Sequence, residues 1–265
     1  MRFREQSFQT PDFSTRLANA VAQQSIQACF QPIVDARTHR VVSCEVVPCW
    51  HDAQHGHVLA HSFIPVAQQL GLLEQLGLQV WAKSLACLHA WRSRDQGLTL
   101  LANVSRQQLH ASTFTAQLSN DLKQLGMPLS CIDLEIAESV AADDGATTDQ
   151  RMSALREAGF GVMIGELGSG HFTFTQLLDK PATGIRIDAA LTRRVRGKVG
   201  TELIEAIVKL AQVCNLQTTA TGVEDAEAAA LLTLLGVQRL QGRYFGEPLE
   251  RDAFERVLDQ DRYAP

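Results

Sequence analysis

Strand-like and helix-like segments alternate along most of this chain, and this alternation restricts the fold more than any other feature of the sequence. After residue 97, each short apolar run is followed by a segment whose apolar residues recur at helical spacing. The predicted strands of this part are Leu98–Val104, Ile132–Ile136, the apolar start of Gly159–Gly170, Gly184–Ile187, Leu216–Ala220 and Val237–Leu240. Such alternation is typical of βα architectures, and the count approaches an eight-fold barrel.

The beginning of the chain departs from this rhythm. Ala28–Asp35 and Val41–Trp50 are both rich in β-forming residues, and the five residues between them are short enough for a hairpin. The fold class predicted is therefore α/β, a modified TIM-like (β/α)8 barrel that opens with an antiparallel pair. Residues 1–14 are expected to be a flexible lead, with Ser14 or Thr15 capping the first helix. Residues 51–57 are expected to form a loop.

The stretch Gly159–Gly170 is predicted to be a buried strand that ends in a glycine-rich loop. In a barrel, the end of such a strand faces the active site. Glu166 is the single carboxylate of this stretch, which is fewer than a hydrolytic metal centre would require there.

Length and composition favour one domain, residues 15–265, over two smaller ones, because 265 residues with 45% hydrophobic content suit one barrel. The net charge of −5 gives no overall footprint for nucleic acid. No apolar run has the length of a signal peptide core or a membrane span, so we expect a cytoplasmic protein without membrane contact. The six cysteines lack the close paired spacing of a zinc site, and most are expected to be small core residues.

Polar residues cluster where the predicted strands end. They are Gln31, Glu45, Asn103, Glu135, Glu138, Glu166, Asp188, Glu224 and Gln241. A ring of oxygen atoms suits a hard cation such as Mg²⁺ or Mn²⁺, but the same residues could simply cap strands and bind loop amides. The residues alone leave both interpretations open. The three histidines at 51, 55 and 57 suggest a metal site less strongly, because nothing in the sequence fixes their geometry.

Seven ordered segments resemble the EAL domain, a family that hydrolyses the bacterial second messenger cyclic di-GMP. They are Gln31–Asp35, Glu45–Trp50, Asn103–Leu109, Leu134–Ser139, Arg186–Asp188, Gly222–Glu224 and Gln241–Gly242. The resemblance extends from about Leu17 to Leu258. It implies a barrel whose first strand runs antiparallel, in agreement with the predicted hairpin.

The resemblance also implies which catalytic positions are kept and which are changed. Glu45, Asn103 and Glu135 match metal ligands of the family. The paired aspartates of the family align with Gly165 and Glu166, its lysine with Arg186, and the glutamate before Gly222 with Thr221. We therefore expect no catalytic residues, a vestigial metal site of Glu45, Asn103, Glu135 and Glu166, and no required cofactor. Residual binding of Mg²⁺ or Mn²⁺ stays open.

The expected ligand-binding positions are also altered. They are Gln31, Glu45, Cys49, Asp188, Glu224 and Gln241. Cys49 replaces an arginine that contacts a phosphate in the family, and Glu247 stands where a basic residue is common. Glu138 is kept at the position that anchors the loop after the strand in active relatives. Whether cyclic di-GMP binds is therefore left open.

Three functions follow as expectations. The first is a catalytically inactive EAL-like regulator that binds another protein, such as a transcription regulator or a signalling protein, in the control of motility, biofilm or virulence. The alternative is a cyclic di-GMP receptor that does not hydrolyse its ligand. The second alternative is a weak metal-dependent phosphodiesterase.

Overall fold

Eight strands close into a barrel. The computed structural model of the protein describes residues 10–142, 146–168 and 174–259. Its strands are β1 (Gln27–Asp35), β2 (Val41–Asp52), β3 (Gly56–Val58), β4 (Thr99–Val104), β5 (Ile132–Ala137), β6 (Gly161–Leu167), β7 (Gly184–Ile187), β8 (Gln217–Ala220), β9 (Arg239–Leu240) and β10 (Leu249–Glu250).

The direction of β1 distinguishes this barrel from an all-parallel one. β1 pairs antiparallel with both β2 and β9, whereas β2 and β4 to β9 follow one another in parallel. Among the described residues, two short strands lie outside the ring. β3 pairs antiparallel with the end of β2, and β10 pairs antiparallel with β1. The predicted fold class, a modified TIM-like barrel with an antiparallel first strand, is confirmed.

Helices follow the parallel strands, as a βα architecture requires. They are α1 (Pro11–Ala22), α2 (Ala60–Gln69), α3 (Leu73–Arg92), α4 (Arg106–His110), α5 (Phe114–Gln124), α6 (Glu138–Ala141), α7 (Ala146–Ala158), α8 (Phe174–Asp179), α9 (Ala189–Thr192), α10 (Lys198–Val213), α11 (Ala226–Leu234) and α12 (Arg251–Leu258). A 3₁₀ turn at Leu129–Cys131 leads into β5.

The core fills the space between barrel and helices. On α10, for example, the buried residues are Gly200, Ile204, Ile207, Val208 and Ala211. Their spacing of three and four residues makes one apolar face, the pattern of a helix packed on a sheet. The outward-facing residues of the strands, such as Leu134 and Ile136 on β5, are fully buried beneath the helices.

The first helix begins earlier than predicted. The Thr10 side chain accepts a hydrogen bond from the Phe13 amide at 3.2 Å, and Pro11 occupies the first helical position. Both features favour a helix start, so the expectation of a cap at Ser14 or Thr15 is wrong, and residues 10–14 are not a flexible lead. Residues 1–9 lie outside the described residues.

Two other details differ from the sequence prediction. The loop expected at residues 51–57 is instead the end of a hairpin, in which His51 pairs with His57 across β2 and β3. Leu109, Phe114, Leu118, Leu122 and Leu125 follow one another at spacings that predict one helix after β4. The structure instead has two helices, α4 and α5, because Ala111 adopts an extended conformation after His110. Among the described residues, no helix is long and apolar enough to cross a membrane.

Candidate functional site

The interior of the barrel contains the predicted site, because strand residues alternate between interior and core. An apolar layer of Ile33, Leu101 and Met163 crosses the middle of the barrel. Two residues after Leu101 on β4 the chain has the polar residue Asn103, and β2, β5 and β7 contribute Glu45, Glu135 and Arg186 to the same layer. This polar layer lies at the carboxyl ends of the parallel strands, where TIM-like barrels place their active sites.

Arg186 of β7 occupies the centre of this polar layer. Its Nη2 donates to Glu45 Oε2 at 2.9 Å and to Gln241 Oε1 at 2.6 Å, and its Nη1 lies 3.1 Å from Glu135 Oε2. The side chain is only 6% exposed. One guanidinium therefore bridges the carboxylates of the half-buried Glu45 and the buried Glu135.

The surrounding amides complete the network. Gln241 Nε2 donates to Glu45 Oε2 at 2.8 Å and to Gln31 Oε1 at 3.1 Å, and Asn103 Nδ2 donates to Glu45 Oε1 at 2.9 Å. Gln31 Nε2 in turn donates to the carbonyl of Gly246 at 3.0 Å. Both Glu45 oxygens are thus occupied by donors from the protein itself.

Burial and the central charge act in opposite directions on the two glutamates. Burial by itself raises the pKa of Glu45, but the Arg186 charge and the hydrogen bonds from Gln241, Arg186 and Asn103 hold that pKa below its usual value. For Glu135, burial raises the pKa to about 7, since the Arg186 charge offsets burial only in part and the charges of Glu45 and Glu166 add to the rise. The site therefore holds one firmly ionised carboxylate and one that titrates near neutrality.

Arg186 itself remains charged. Burial lowers its pKa, but the charges of Glu45 and Glu135 and the hydrogen bond to Glu45 outweigh burial and hold the pKa above its ordinary value. Within the part of the chain that the structure describes, its buried Nε and Nη1 have no hydrogen-bond partner. The contact of Nη1 with Glu135 is therefore an ion pair without hydrogen-bond geometry.

Gly165 makes space for Glu135. A Cβ atom at position 165 would lie 2.0 Å from Glu135 Oε1 and 2.7 Å from its Cδ. Any side chain at this position, aspartate included, would therefore displace Glu135 from Arg186. The absence of a side chain at Gly165 thus allows the Glu135 carboxylate to lie where it pairs with Arg186.

Glu166 lies near the end of β6 in an unusual backbone conformation. Its φ of +57° is uncommon for a residue other than glycine, and it lies at a register shift between β6 and β7. The residue is exposed. Of the four predicted vestigial metal ligands, the structure joins Glu45 and Asn103 directly and joins Glu135 to them through Arg186. It places Glu166 at an exposed position, from which its charge adds to the rise that burial causes in the pKa of Glu135.

Three other predicted positions serve local structure. Asp188 Oδ1 accepts from the Ala190 amide at 2.7 Å at the start of α9. Thr221 donates from Oγ1 to the carbonyl of Ile187 at 3.0 Å. Glu224 is exposed, and its Oε1 lies 3.4 Å from Arg243 Nη2. The interpretation that strand-end polar residues bind local backbone amides thus describes Asp188.

Glu138 is buried at the start of α6, and its Oε2 accepts a hydrogen bond from the Gly168 amide at 3.0 Å. It therefore contacts the loop after β6, as the anchor interpretation requires. Residues 169–173 of that loop lie outside the described residues.

Cys49 is not an isolated core cysteine. It is bonded to Cys29 of β1 in a disulfide, with the two Cα atoms 5.8 Å apart. Twenty residues separate the two in sequence, so only the pairing of β1 with β2 brings them together. The interpretation as separate core residues fits Cys44, Cys87 and Cys131, which are free and buried.

A closed β/α barrel with carboxylates and amides at the carboxyl ends of its strands defines the class: a TIM-like barrel with its site at the strand ends. A profile of the EAL domain matches residues 14–248. The chain belongs to the EAL-domain family.

Two named proteins of Escherichia coli are similar to most of this chain. The oxygen sensor protein DosP of Escherichia coli (strain K12) is 30% identical over 235 residues, which are 88% of this chain and 29% of DosP. The cyclic di-GMP phosphodiesterase PdeR of the same organism is 30% identical over 243 residues, 91% of this chain and 37% of PdeR. The chain thus spans about a third of the length of these curated relatives.

Solved structures share the fold. The PaMucR phosphodiesterase in complex with c-di-GMP has a TM-score of 0.85 and 26% identity, over 91% of this chain and 98% of that one. The FimX EAL domain from Pseudomonas aeruginosa bound to c-di-GMP has a TM-score of 0.78 and 20% identity, over 94% of this chain and 97% of that one. The second likeness concerns the fold alone.

Sequence reasoning missed two features of this site. The sequence indicates Arg186 only as the replacement of the family's lysine, whereas its contacts with Glu45, Glu135 and Gln241 organise the whole layer. The partner of Cys49 was missed as well. A signal for the first was present, because the loss of an acidic side chain at Gly165 coincides with a permanent cation on the neighbouring strand.

Proposed function

We propose that this chain is a non-catalytic EAL-domain regulator that acts through protein contacts in bacterial signalling, such as the control of motility, biofilm or virulence, with a transcription regulator or signalling protein as partner. The observation that carries the proposal is the position of Arg186. Its guanidinium lies between Glu45 and Glu135, at 2.9 and 3.1 Å.

The metal pair that the family resemblance implies fits these residues poorly. Two-metal hydrolysis of a phosphodiester requires two cations about 3.5–4 Å apart that share carboxylates. Here one fixed positive charge already occupies the space among the carboxylates, and Gly165 offers no side-chain oxygen. Arg186 stays protonated and cannot serve as a proton acceptor. These features support the loss of hydrolysis.

The residues expected to hold the dinucleotide also favour a function other than its binding. Cys49 is 3% exposed and neutral, so it supplies no charge-assisted contact to a phosphate. Gln31 and Gln241 already bond to each other. Glu247 adds an exposed carboxylate directly after Gly246, whose carbonyl accepts a hydrogen bond from Gln31. The receptor is therefore the second candidate.

An apolar stripe on α10 supports the protein-contact function. Val199, Leu203, Ala206, Leu210 and Val213 follow one another at intervals of four and three residues, beside the buried face of the helix. Val199 is 78% exposed, Leu203 42% and Val213 81%. Apolar residues at this spacing match the seam along which two amphipathic helices pair, and we assign this stripe as the contact surface for a helix of the partner.

The catalytic part of the proposal is tested with cyclic di-GMP and the full chain. The protein is incubated with Mg²⁺ or Mn²⁺, and the products are separated by chromatography; binding is measured by calorimetry with Ca²⁺. We expect neither product nor micromolar binding. Linear dinucleotide that disappears in Glu135→Gln would overturn the proposal in favour of a weak phosphodiesterase. Micromolar binding without cleavage would favour the receptor.

The contact surface is tested with a matched pair of variants. Leu203→Glu and Leu78→Glu each place a charge at an exposed leucine, on α10 and on α3 respectively. A partner captured from the native cytoplasm should be lost with Leu203→Glu and kept with Leu78→Glu. Equal capture by both variants would contradict the assignment of the stripe.

A further inference from the structure

Two cysteines and a histidine from three adjacent strands meet near the mouth of the barrel. They are Cys29 of β1, Cys49 of β2 and His57 of β3, and their sulfur and ring nitrogen atoms all lie within 4.8 Å of one another. Both cysteines are buried, at 0% and 3% exposure, whereas His57 is exposed. The group is independent of the Glu45 and Arg186 layer.

The strands fix this arrangement. Cys49 pairs with Gln27 in the β1–β2 ladder, so it lies diagonally across from Cys29. His57 lies opposite His51, which is two residues after Cys49 on the same face of β2. The three ligand atoms thus come from paired strands, whose backbone positions are held by the sheet rather than by a flexible loop.

We propose that Cys29 and Cys49, once reduced, bind a Zn²⁺ ion together with His57. Two thiolates and an imidazole are the donors that Zn²⁺ prefers, and three protein ligands leave the fourth position open to water. Hard cations such as Mg²⁺ prefer oxygen ligands, like the carboxylates of the neighbouring layer, and bind sulfur ligands poorly. The two kinds of site are therefore chemically separate.

The distances suit the ion after a small movement. Zinc bonds of about 2.3 Å to sulfur and 2.0–2.1 Å to nitrogen in a tetrahedron place the ligand atoms about 3.5–3.8 Å apart. The atoms of this group lie within 4.8 Å. The two sulfurs, which are bonded to each other here, must separate, and the imidazole nitrogen already lies within 4.8 Å of both.

Conversion of the Cys29–Cys49 disulfide to the zinc-bound pair of thiolates takes two steps. A dithiol or phosphine reductant supplies two electrons, the sulfur–sulfur bond breaks, and two protons from solvent make two thiols. Zn²⁺ then displaces these two protons as it takes both thiolates. The oxidised pair and the zinc-bound pair thus exclude each other.

Cobalt replaces zinc as the probe in the first experiment, because its spectrum reports thiolate ligands. The reduced, metal-free full chain is titrated with Co²⁺. We expect one ion per chain, with the visible bands of tetrahedral cobalt and a thiolate-to-cobalt charge-transfer band, both of which disappear when Zn²⁺ is added. Absence of the charge-transfer band would overturn the proposal.

Variants assign the ligands. Cys29→Ser and Cys49→Ser should each abolish the charge-transfer spectrum. His57→Ala should weaken Co²⁺ binding at least about tenfold, since even the loss of a residue that only hydrogen-bonds to a metal ligand lowers metal affinity by that factor. Cys214→Ser, at a half-buried free cysteine, and His61→Ala, at an exposed histidine of α2, should leave it unchanged. A spectrum that survives Cys49→Ser would contradict the site.

One measurement needs no variant. X-ray absorption of the zinc-loaded, unmutated chain should show two sulfur ligands at about 2.3 Å, with nitrogen or oxygen completing the shell. A shell of nitrogen and oxygen alone would refute the proposal even if a serine variant failed to fold.

Discussion

The two ends of the barrel interior contain the same three kinds of residue, but they use them differently. At the end where the parallel strands begin, Arg239 Nη1 lies 3.4 Å from Asp133 Oδ2, and Gly161 on β6 makes space for that aspartate. At the other end, Arg186 pairs with Glu45 and Glu135, and Gly165 makes space for Glu135.

The difference lies in the number of charges and their burial. Arg239 is 18% exposed and faces one carboxylate, whereas Arg186 is 6% exposed and faces two. In barrels of this class the end where strands begin serves stability, and the end where they finish serves function. At the functional end of this chain, the arrangement is that of a structural ion pair, as at the opposite end. The likeness of the two ends supports the proposal that the protein is non-catalytic.

Removal of the two arginines should separate the two ends most clearly. Arg186→Met leaves Glu45 and Glu135 buried without their counter-charge, and breaking a buried pair in this way costs about 3–5 kcal/mol. Arg239→Met leaves the Asp133 carboxylate unpaired, but this side chain is 14% exposed and has some access to solvent. We therefore expect a loss of about 1–2 kcal/mol in the free energy of unfolding. Urea unfolding at neutral pH measures both. Equal losses would show that the two ends are equivalent.

The pH dependence should be the next largest effect. The pKa of Glu135 is raised to about 7 from a usual value of 4.5, so the folded state holds this proton more tightly than the unfolded chain does. Its stabilising effect is complete below about pH 4.5 and is lost as the pH rises to about 7, a change of up to about 3 kcal/mol.

Glu135→Gln removes this titration. We therefore expect the difference in Tm between this variant and the unmutated chain to change between about pH 4.5 and 7 and to be constant above it. The lowered pKa of Glu45 acts in the opposite direction and only at more acidic pH. A constant difference across the whole range would show that Glu135 is ionised throughout.

The glycines give a smaller effect, but one that tests the geometry directly. Gly165→Ala places a methyl group 2.0 Å from Glu135 Oε1, and Gly161→Ala places one 1.9 Å from Asp133 Oδ1. Overpacking of this kind costs about 1–3 kcal/mol. At position 165 the contacts are with the side chain of Glu135, so Glu135→Ala should offset most of the loss.

At position 161 the methyl group would also lie 3.3 Å from the Asp133 Cα atom. Truncation of Asp133 to alanine should therefore relieve Gly161→Ala less completely. Double-mutant cycles measure the two coupling energies. A coupling energy near zero for Gly165 with Glu135 would contradict the close fit on which the proposed loss of function depends.

The sequence predicts the barrel well because its signals are local. The alternation of strands and helices, and the short connection between β1 and β2, determine the fold class and the antiparallel start, and the structure confirms both. The changed positions Gly165 and Arg186 are also visible in the sequence. Periodicity, however, does not reveal that Arg186 reaches both Glu45 and Glu135, because these three residues lie on three different strands, β7, β2 and β5.

The cysteine pair shows the same limit. Cys29 and Cys49 carry no recognisable spacing in the sequence, and the ladder register that joins them is set by the whole length of the β1–β2 hairpin. His57 became relevant only because residues expected to form a loop continue as strand β3. Contacts across strands, rather than along them, are what the sequence pattern leaves undetermined.

The smallest expected effect is that of Mn²⁺ on the Tm of Arg186→Met. It tests whether the Arg186 side chain keeps metal ions from the mouth of the barrel. In Arg186→Met, the oxygens of Glu45, Glu135 and Asn103 are left without their internal cation, and such a donor set suits Mn²⁺. Binding at ten times the dissociation constant would stabilise this variant by about 1.4 kcal/mol, seen as a rise in Tm. The unmutated chain should not respond, and neither should Arg186→Met combined with Glu135→Gln. If Mn²⁺ raises the Tm of the unmutated chain as much as that of the variant, Arg186 does not exclude the ion, and the comparison between the two ends loses its functional meaning.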